Sequence, residues 1–269
     1  ALGRAAIDIS AKRFGIYAFM GGVLMLSSMY WSFEAVRLLG ASLTTLIIFV
    51  YPVMVIAMLS LLEGRIRTRQ LIAALLGMAG LVLVLQPWNE LDEIIWPGVG
   101  AALLAAFFWA LYNVCSEKWL ADDSSVRQAA FTALLALAIM SPLFGDQNYP
   151  ADPNVWLLVG MLALFVGFIP FLLFLEGLRR IGAGPGAIMN MLAPAFNMLW
   201  AYIAFGEART TLQFAGVLLL FAGMAGLKFA FPRRALRRLY RRWLLLYRRP
   251  QTAGEWPYVS LSMRTRESC

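Results

Sequence analysis

Histidine is absent from all 269 residues, and cysteine occurs only as Cys115 and Cys269. The first absence removes the commonest general base and the commonest transition-metal ligand. The second leaves no disulfide framework and no cysteine-based zinc spacing. Charge is scarce too, at 14% of residues against about 25% in ordinary soluble domains. No paired-carboxylate site, nucleophile elbow or phosphate loop can be traced, so neither an enzyme, a cofactor nor a metal is expected. What the chain does have is apolar surface: 61% of its residues are hydrophobic. So little polar material cannot cover a water-facing exterior, and lipid is the natural solvent.

A membrane-crossing helix takes about 20 apolar residues. Eight candidates follow in series, at 14–33, 43–62, 71–88, 96–116, 128–144, 155–175, 185–205 and 212–231. They are too long for barrel strands, and a lipid-facing backbone must satisfy itself internally. The expected fold class is therefore all-α, a polytopic membrane helix bundle with eight spans.

The net charge of +8 reads as orientation in a bilayer rather than as a nucleic-acid surface. Of the 23 basic residues, only Arg37 and Arg209 fall on one side of the alternating loops, whose other segments, NELDEI and DQNYPADPN, are acidic. The excess on the opposite side predicts that both termini are cytoplasmic. In the segment PRRALRRLYRRWLLLYRRP the arginine pairs recur opposite Leu236, Leu239, Tyr240, Trp243 and Tyr247. That pattern predicts a basic amphipathic helix on an anionic lipid surface, within a tail spanning 232–269.

One phrase is written twice. FEAVRLLGASLTTLIIFVYP at 33–52 and LEGLRRIGAGPGAIMNMLAP at 175–194 share Glu34/Glu176, Arg37/Arg179, Gly40/Gly182, Ala41/Ala183 and Pro52/Pro194, all 142 residues apart. One residue of slip then aligns Gln70, Leu75, Leu76, Ala79 and Gly80 with Gln213, Leu218, Leu219, Ala222 and Gly223. Five spans separate the two copies, an odd number, so the copies should point in opposite senses. That is an inverted repeat, the plan of many secondary transporters. The second copy, 96–231, holds five spans, and 1–95 holds the last three of such a unit. Two of ten helices are therefore expected before Ala1, with a genuine eight-span protein as the alternative.

The stretch FLEGLRRIGAGPGAIMNMLAPAFNMLWAYIAFGE, with Pro194, Gly206 and Glu207, followed by the Gln213…AGMAG helix, resembles the EamA-type transporters of the drug/metabolite transporter superfamily. In the first copy Pro52 fits, but Glu63 comes two residues early and Arg65 holds the usual acidic place. The resemblance covers 14–231. It implies ten helices in two inverted halves and movement of small metabolites, mostly outward, across a bacterial inner membrane.

Site candidates come from polar residues inside spans, which are costly in lipid and need partners or a function. Trp109, Tyr112, Asn113 and Ser116 share faces of the fourth span. Asn190 and Asn197 are seven apart, which on one helix sets them on one face. Tyr51, Thr44 and Thr45 are the second-span counterparts. These line the expected substrate pathway. Glu34 and Glu176 are candidate coupling carboxylates, and Pro52 and Pro194 candidate kinks. The expected activity is alternating-access transport of a small solute, with a membrane-embedded lipid-modifying enzyme or a passive channel as rivals. The expected partners are that solute, the bilayer and anionic lipid at the tail; a homodimer is compatible with the sequence.

Overall fold

Apolar runs with no two-residue alternation should fold as helix, and they do. In a computed structural model the described residues are 10–88, 95–140, 152–205 and 210–228. Gly206, Glu207 and the basic tail with its expected amphipathic helix lie outside them. The helices are α1 (Ala11–Ala18), α2 (Leu26–Ile48), α3 (Tyr51–Glu63), α4 (Thr68–Leu85), α5 (Trp96–Trp119), α6 (Ser125–Met140), α7 (Pro153–Leu162), α8 (Ile169–Ile181), α9 (Ala183–Asn190), α10 (Ala193–Phe205) and α11 (Thr211–Lys228). π-helical stretches, Phe19–Met25 and Ala163–Phe168, join α1 to α2 and α7 to α8. No strand occurs among the described residues. Among the described residues, five helical stretches are long and apolar enough to cross a membrane, including Ala11–Ile48 and Pro153–Ile181, and three shorter apolar helices accompany them. The chain is a polytopic helical membrane bundle.

Local chemistry sets several boundaries. Ser10 caps α1 by accepting the Arg13 N–H, and Asp152 caps α7 by accepting the Asn154 N–H at 2.9 Å. Pro97 and Pro153 enter their helices in the first turn, where a missing N–H costs nothing. Gly64 ends α3 in the left-handed region, at φ 61°.

The duplicated phrase has a duplicated backbone. Gly40 (φ 76°, ψ 174°) and Gly182 (φ 91°, ψ 163°) both adopt a conformation that side-chain-bearing residues rarely reach, and each breaks a long helix at the same place. After each glycine a short helix runs for two turns. It then stops at a turn, Phe49–Val50 in one copy and Met191–Leu192 in the other. Pro52 and Pro194 stand just beyond those turns, so they begin new helices rather than bend continuous ones. The stretches 43–62 and 185–205, read from sequence as single helices, are therefore each two helices in series.

Close packing relies on small residues, as lipid gives helices no hydrophobic reason to associate. Gly80 lies against the backbone of Gly216, and Gly223 against Ala73 and Gly77. The early part of α4 thus meets the late part of α11 and the reverse, so the two run antiparallel. Gln86 Nε2 donates to Thr210 Oγ1 at 2.6 Å where the end of α4 meets the start of α11. α2 and α5 are also antiparallel: Ser28 Oγ donates to the Ala105 carbonyl at 3.0 Å, and Gly98 abuts Leu38 and Leu39. By contrast, α7 and the π-helical stretch after it bury no residue, and Leu157, Phe165 and Val166 are wide open, as suits a lipid-facing surface.

Candidate functional site

α5 supplies the site's floor because its helical spacing brings Trp109, Tyr112, Asn113 and Ser116 into the bundle. Tyr112, Asn113 and Ser116 are buried there, with Tyr112 and Asn113 0% exposed. Trp109 stacks on Tyr112 with centroids 5.4 Å apart and planes 4° from parallel. It also stacks on Phe174 of α8 at 5.8 Å and meets Tyr51 of α3 edge-on at 6.5 Å. Phe171 closes the fourth side, 6.4 Å from the Trp109 ring. One indole therefore links α3, α5 and α8.

Tyr51 adds the polar element. Its ring is 1% exposed, yet its hydroxyl has partners. It donates to the Ala187 carbonyl at 3.2 Å and accepts from Asn190 Nδ2 at 3.0 Å. Both partners are on α9, so the residue that opens α3, near the end of the first copy of the phrase, grips the short helix within the second copy. Tyr112 accepts from Gln128 Nε2 at 3.2 Å, and Gln128 also donates to Ser116 Oγ at 2.8 Å. Asn113 Nδ2 donates to the Trp109 carbonyl at 2.7 Å.

The structure gathers Tyr51, Trp109, Tyr112 and Asn190, with Asn113 on the next turn of α5. It does not bring Asn197 with them. The seven-residue argument held for one continuous helix; the turn at Met191–Leu192 changes the register, and Asn197 is exposed on α10. Thr44 is buried, and Thr45 Oγ1 donates back to the Ala41 carbonyl at 2.7 Å. Pro52 and Pro194 are buried beside the two helix breaks.

Glu34 and Glu176 sit six residues before their break glycines, each held by an arginine. Arg37 Nε donates to Glu34 at 2.9 Å, and Arg179 Nη2 to Glu176 at 2.8 Å. Arg180 and Ser125 add bonds of 2.6 Å each to Glu176. The repeated Glu-x-x-Arg thus forms the same i,i+3 pair twice.

A second cluster, unsuspected from sequence, closes one end of this region. Glu63, just past the apolar run of α3, binds Arg67 Nη2 at 2.6 Å and Lys118 Nζ at 2.8 Å. Glu117, next to Lys118, accepts the N–H of Ala183 at the start of α9. Arg67 Nη1 also donates to Gln70 Oε1, and both pack against Gly184. Hydrogen bonds from Arg67 and then Lys118 hold the Glu63 carboxyl down at about 2, against the opposing effect of burial. Counting residues along α3, α5 and α9, the aromatic cluster lies roughly 10–18 Å deeper than this ionic end. No grouping of His, Cys, Asp and Glu fit for a metal occurs among the described residues.

Phe171, Phe174 and Gln128 also escaped the sequence reading. Phenylalanine in a span reads as lipid contact, and nothing in spacing says which rings turn inward.

Comparison with known proteins agrees with this architecture. Residues 96–229, about half of the chain, match the EamA-like transporter family. An uncharacterized transporter of Archaeoglobus fulgidus is 26% identical over 190 residues, covering 71% of this chain and 68% of that protein. The uncharacterized transporter YcbK of Bacillus subtilis is 27% identical over 202 residues, covering 71% and 64%. The aromatic amino acid exporter YddG of Ancylobacter novellus is 26% identical over 181 residues, covering 65% and 62%. The matches thus span about two thirds of these relatives' lengths. A solved crystal structure superposes with a TM-score of 0.67 at 22% identity, over 83% of this chain and 78% of that one, a likeness of fold. With its bundle of apolar helices and its match to the family over the whole second half of the bundle, this chain belongs to the EamA-like transporter family.

Proposed function

We propose that the chain is a secondary carrier that exports a small metabolite with a flat aromatic or apolar body by alternating access. The observation that carries this reading is the Tyr51 hydroxyl bridging Asn190 and Ala187 beside the Trp109 platform. A polar joint between two repeat copies, walled by rings, offers an apolar solute a surface and a few orienting groups. The exporter reading draws on the printed name of the Ancylobacter relative. The matched break glycines and the antiparallel α4–α11 seam support two units, 1–95 and 96–231, inserted in opposite senses. The side bearing most of the arginines is the proposed cytoplasmic face of a bacterial inner membrane. Glu34 and Glu176 are the proposed coupling groups: a proton arriving on either weakens its arginine pair.

The ionic end at Glu63, Lys118, Glu117 and Ala183 is the proposed gate on that side. It joins α3 and α4 to α5 and α9, so opening there must part these groups. Reconstituted in vesicles, the full chain should exchange labelled phenylalanine or a related aromatic metabolite with saturation and counterflow. Flux that rises linearly with concentration and ignores solute on the far side would favour a channel and defeat the carrier.

The gate also has a pH signature. Glu63 has its carboxyl lowered from 4.5 to about 2. The stabilisation it gives is complete above pH 4.5 and is lost as pH falls through about 2. Glu63 faces Arg67 and Lys118, and Lys118 faces Glu117, so within that window protonation leaves two cations near one carboxylate. A single cysteine at Ala187, one turn behind Ala183, should label at a constant rate relative to a free thiol reacted at the same pH from pH 5 to 8, and that ratio should rise as pH falls below 4.5. In Glu63→Gln that acid dependence should flatten. Identical acid profiles in both proteins would show that Glu63 does not hold the gate.

A further inference from the structure

Asn113 is 0% exposed, and its amide is half satisfied. Nδ2 is committed to the Trp109 carbonyl at 2.7 Å, which sets the orientation of the group, because only the nitrogen can donate to a carbonyl. Oδ1 is left with no hydrogen-bond partner. A buried acceptor without a donor is costly, and such groups are rare unless something else supplies the donor. Thr44 Oγ1 is also unpartnered, but a hydroxyl both donates and accepts, so it selects nothing. Asn113 Oδ1 selects a donor.

Its position says what kind. Asn113 stands one turn along α5 from Trp109, on the stripe with Ala106 and Ala110. That stripe packs with Tyr51 and with Ala183 and Ala187 of α9. α9 ends at Asn190, and Pro194 has no N–H to offer the Asn190 carbonyl where a continued helix would have one. The C-terminal pole of a short broken helix carries partial negative charge and favours a cation. An acceptor without a donor and a negative helix pole are thus linked through Trp109 and Tyr51, and both border the ring-walled region.

We propose that Asn113 is a specificity residue of the solute site, its Oδ1 accepting a hydrogen bond from a primary ammonium on the solute. The inference rests on the carrier reading above and narrows it: the exported metabolite is an aromatic or apolar amine. The amine is recognised at Asn113 and the α9 pole, and the body is recognised at Trp109, Phe171 and Phe174.

Three probes of similar body separate the possibilities: phenethylamine, 2-phenylethanol and 3-phenylpropionate, each titrated against the purified full chain in detergent at pH 7. Phenethylamine should bind at least tenfold more tightly than the other two. Asn113→Leu, which keeps the branch at Cγ and removes the acceptor, should reduce that preference to twofold or less. Asn113→Asp keeps an acceptor and should keep the preference, which guards against a leucine variant that merely misfolds. Equal binding of all three probes would overturn the inference and leave the carrier reading standing. So would a preference that survives in Asn113→Leu or disappears in Asn113→Asp. Binding by none of the three would sink the aromatic carrier site itself, and this inference with it.

Discussion

A valine in place of Gly80 is expected to pull α4 away from α11 and leave little properly assembled protein. A Cβ at Gly80 would lie 2.8 Å from the Gly216 carbonyl oxygen and 2.9 Å from the Leu220 backbone nitrogen. Those are backbone atoms, so no rotamer change relieves the overlap. The contact is reciprocal, with a Cβ at Gly216 falling 2.7 Å from the Gly80 carbonyl. Overpacking a core usually costs about 1–3 kcal/mol because neighbours shift. Here two helix backbones would have to separate along their length, and dispersion between close backbones is the main force joining them in lipid. The measurement is the monodisperse fraction after detergent extraction, with the thermal midpoint. Gly80→Ala should be intermediate. Gly100→Val is the control: a Cβ there meets nothing within 4 Å, and it should behave as the unaltered protein. If Gly80→Val extracts and melts like that control, the antiparallel seam is misplaced.

What could be read from sequence was whatever a single residue type must satisfy locally. Gly40 and Gly182 were legible as a pair because a positive φ excludes nearly every other residue, so the backbone requirement surfaces as a letter. The all-helical membrane class was legible because apolar runs of span length admit few other folds. Trp109, Tyr112 and Asn113 were legible as neighbours because helical spacing alone places them. Asn197 shows the limit of that method: the turn at Met191–Leu192 leaves no mark strong enough to cancel the seven-residue rule, and it moves the side chain outward. Contacts across long stretches of chain were out of reach. Tyr51 and Asn190 are 139 positions apart, and Lys118 and Glu63 are 55 apart. Nothing in either neighbourhood names the other partner. The gate residues also looked like ordinary loop charges, whose usual role is to face water.

Truncating Trp109 to alanine should reduce transport per folded molecule by at least tenfold. The indole touches Tyr51, Tyr112, Phe171 and Phe174 together, so its removal takes away the platform and loosens the walls at once. Burying such a ring and then deleting it costs about 3–5 kcal/mol in a core, so stability and function must be separated. Trp109→Phe helps, since it keeps a ring at the centre; it should fold nearly as well and retain a clear fraction of the rate. A second control uses the void itself. The void left among four rings should admit a ring of matching size, as apolar engineered cavities do. Free indole should therefore raise the melting midpoint of Trp109→Ala by more than it raises that of the unaltered chain. If Trp109→Ala transports normally once corrected for folded amount, the rings at the centre serve only to pack helices, and the solute crosses elsewhere.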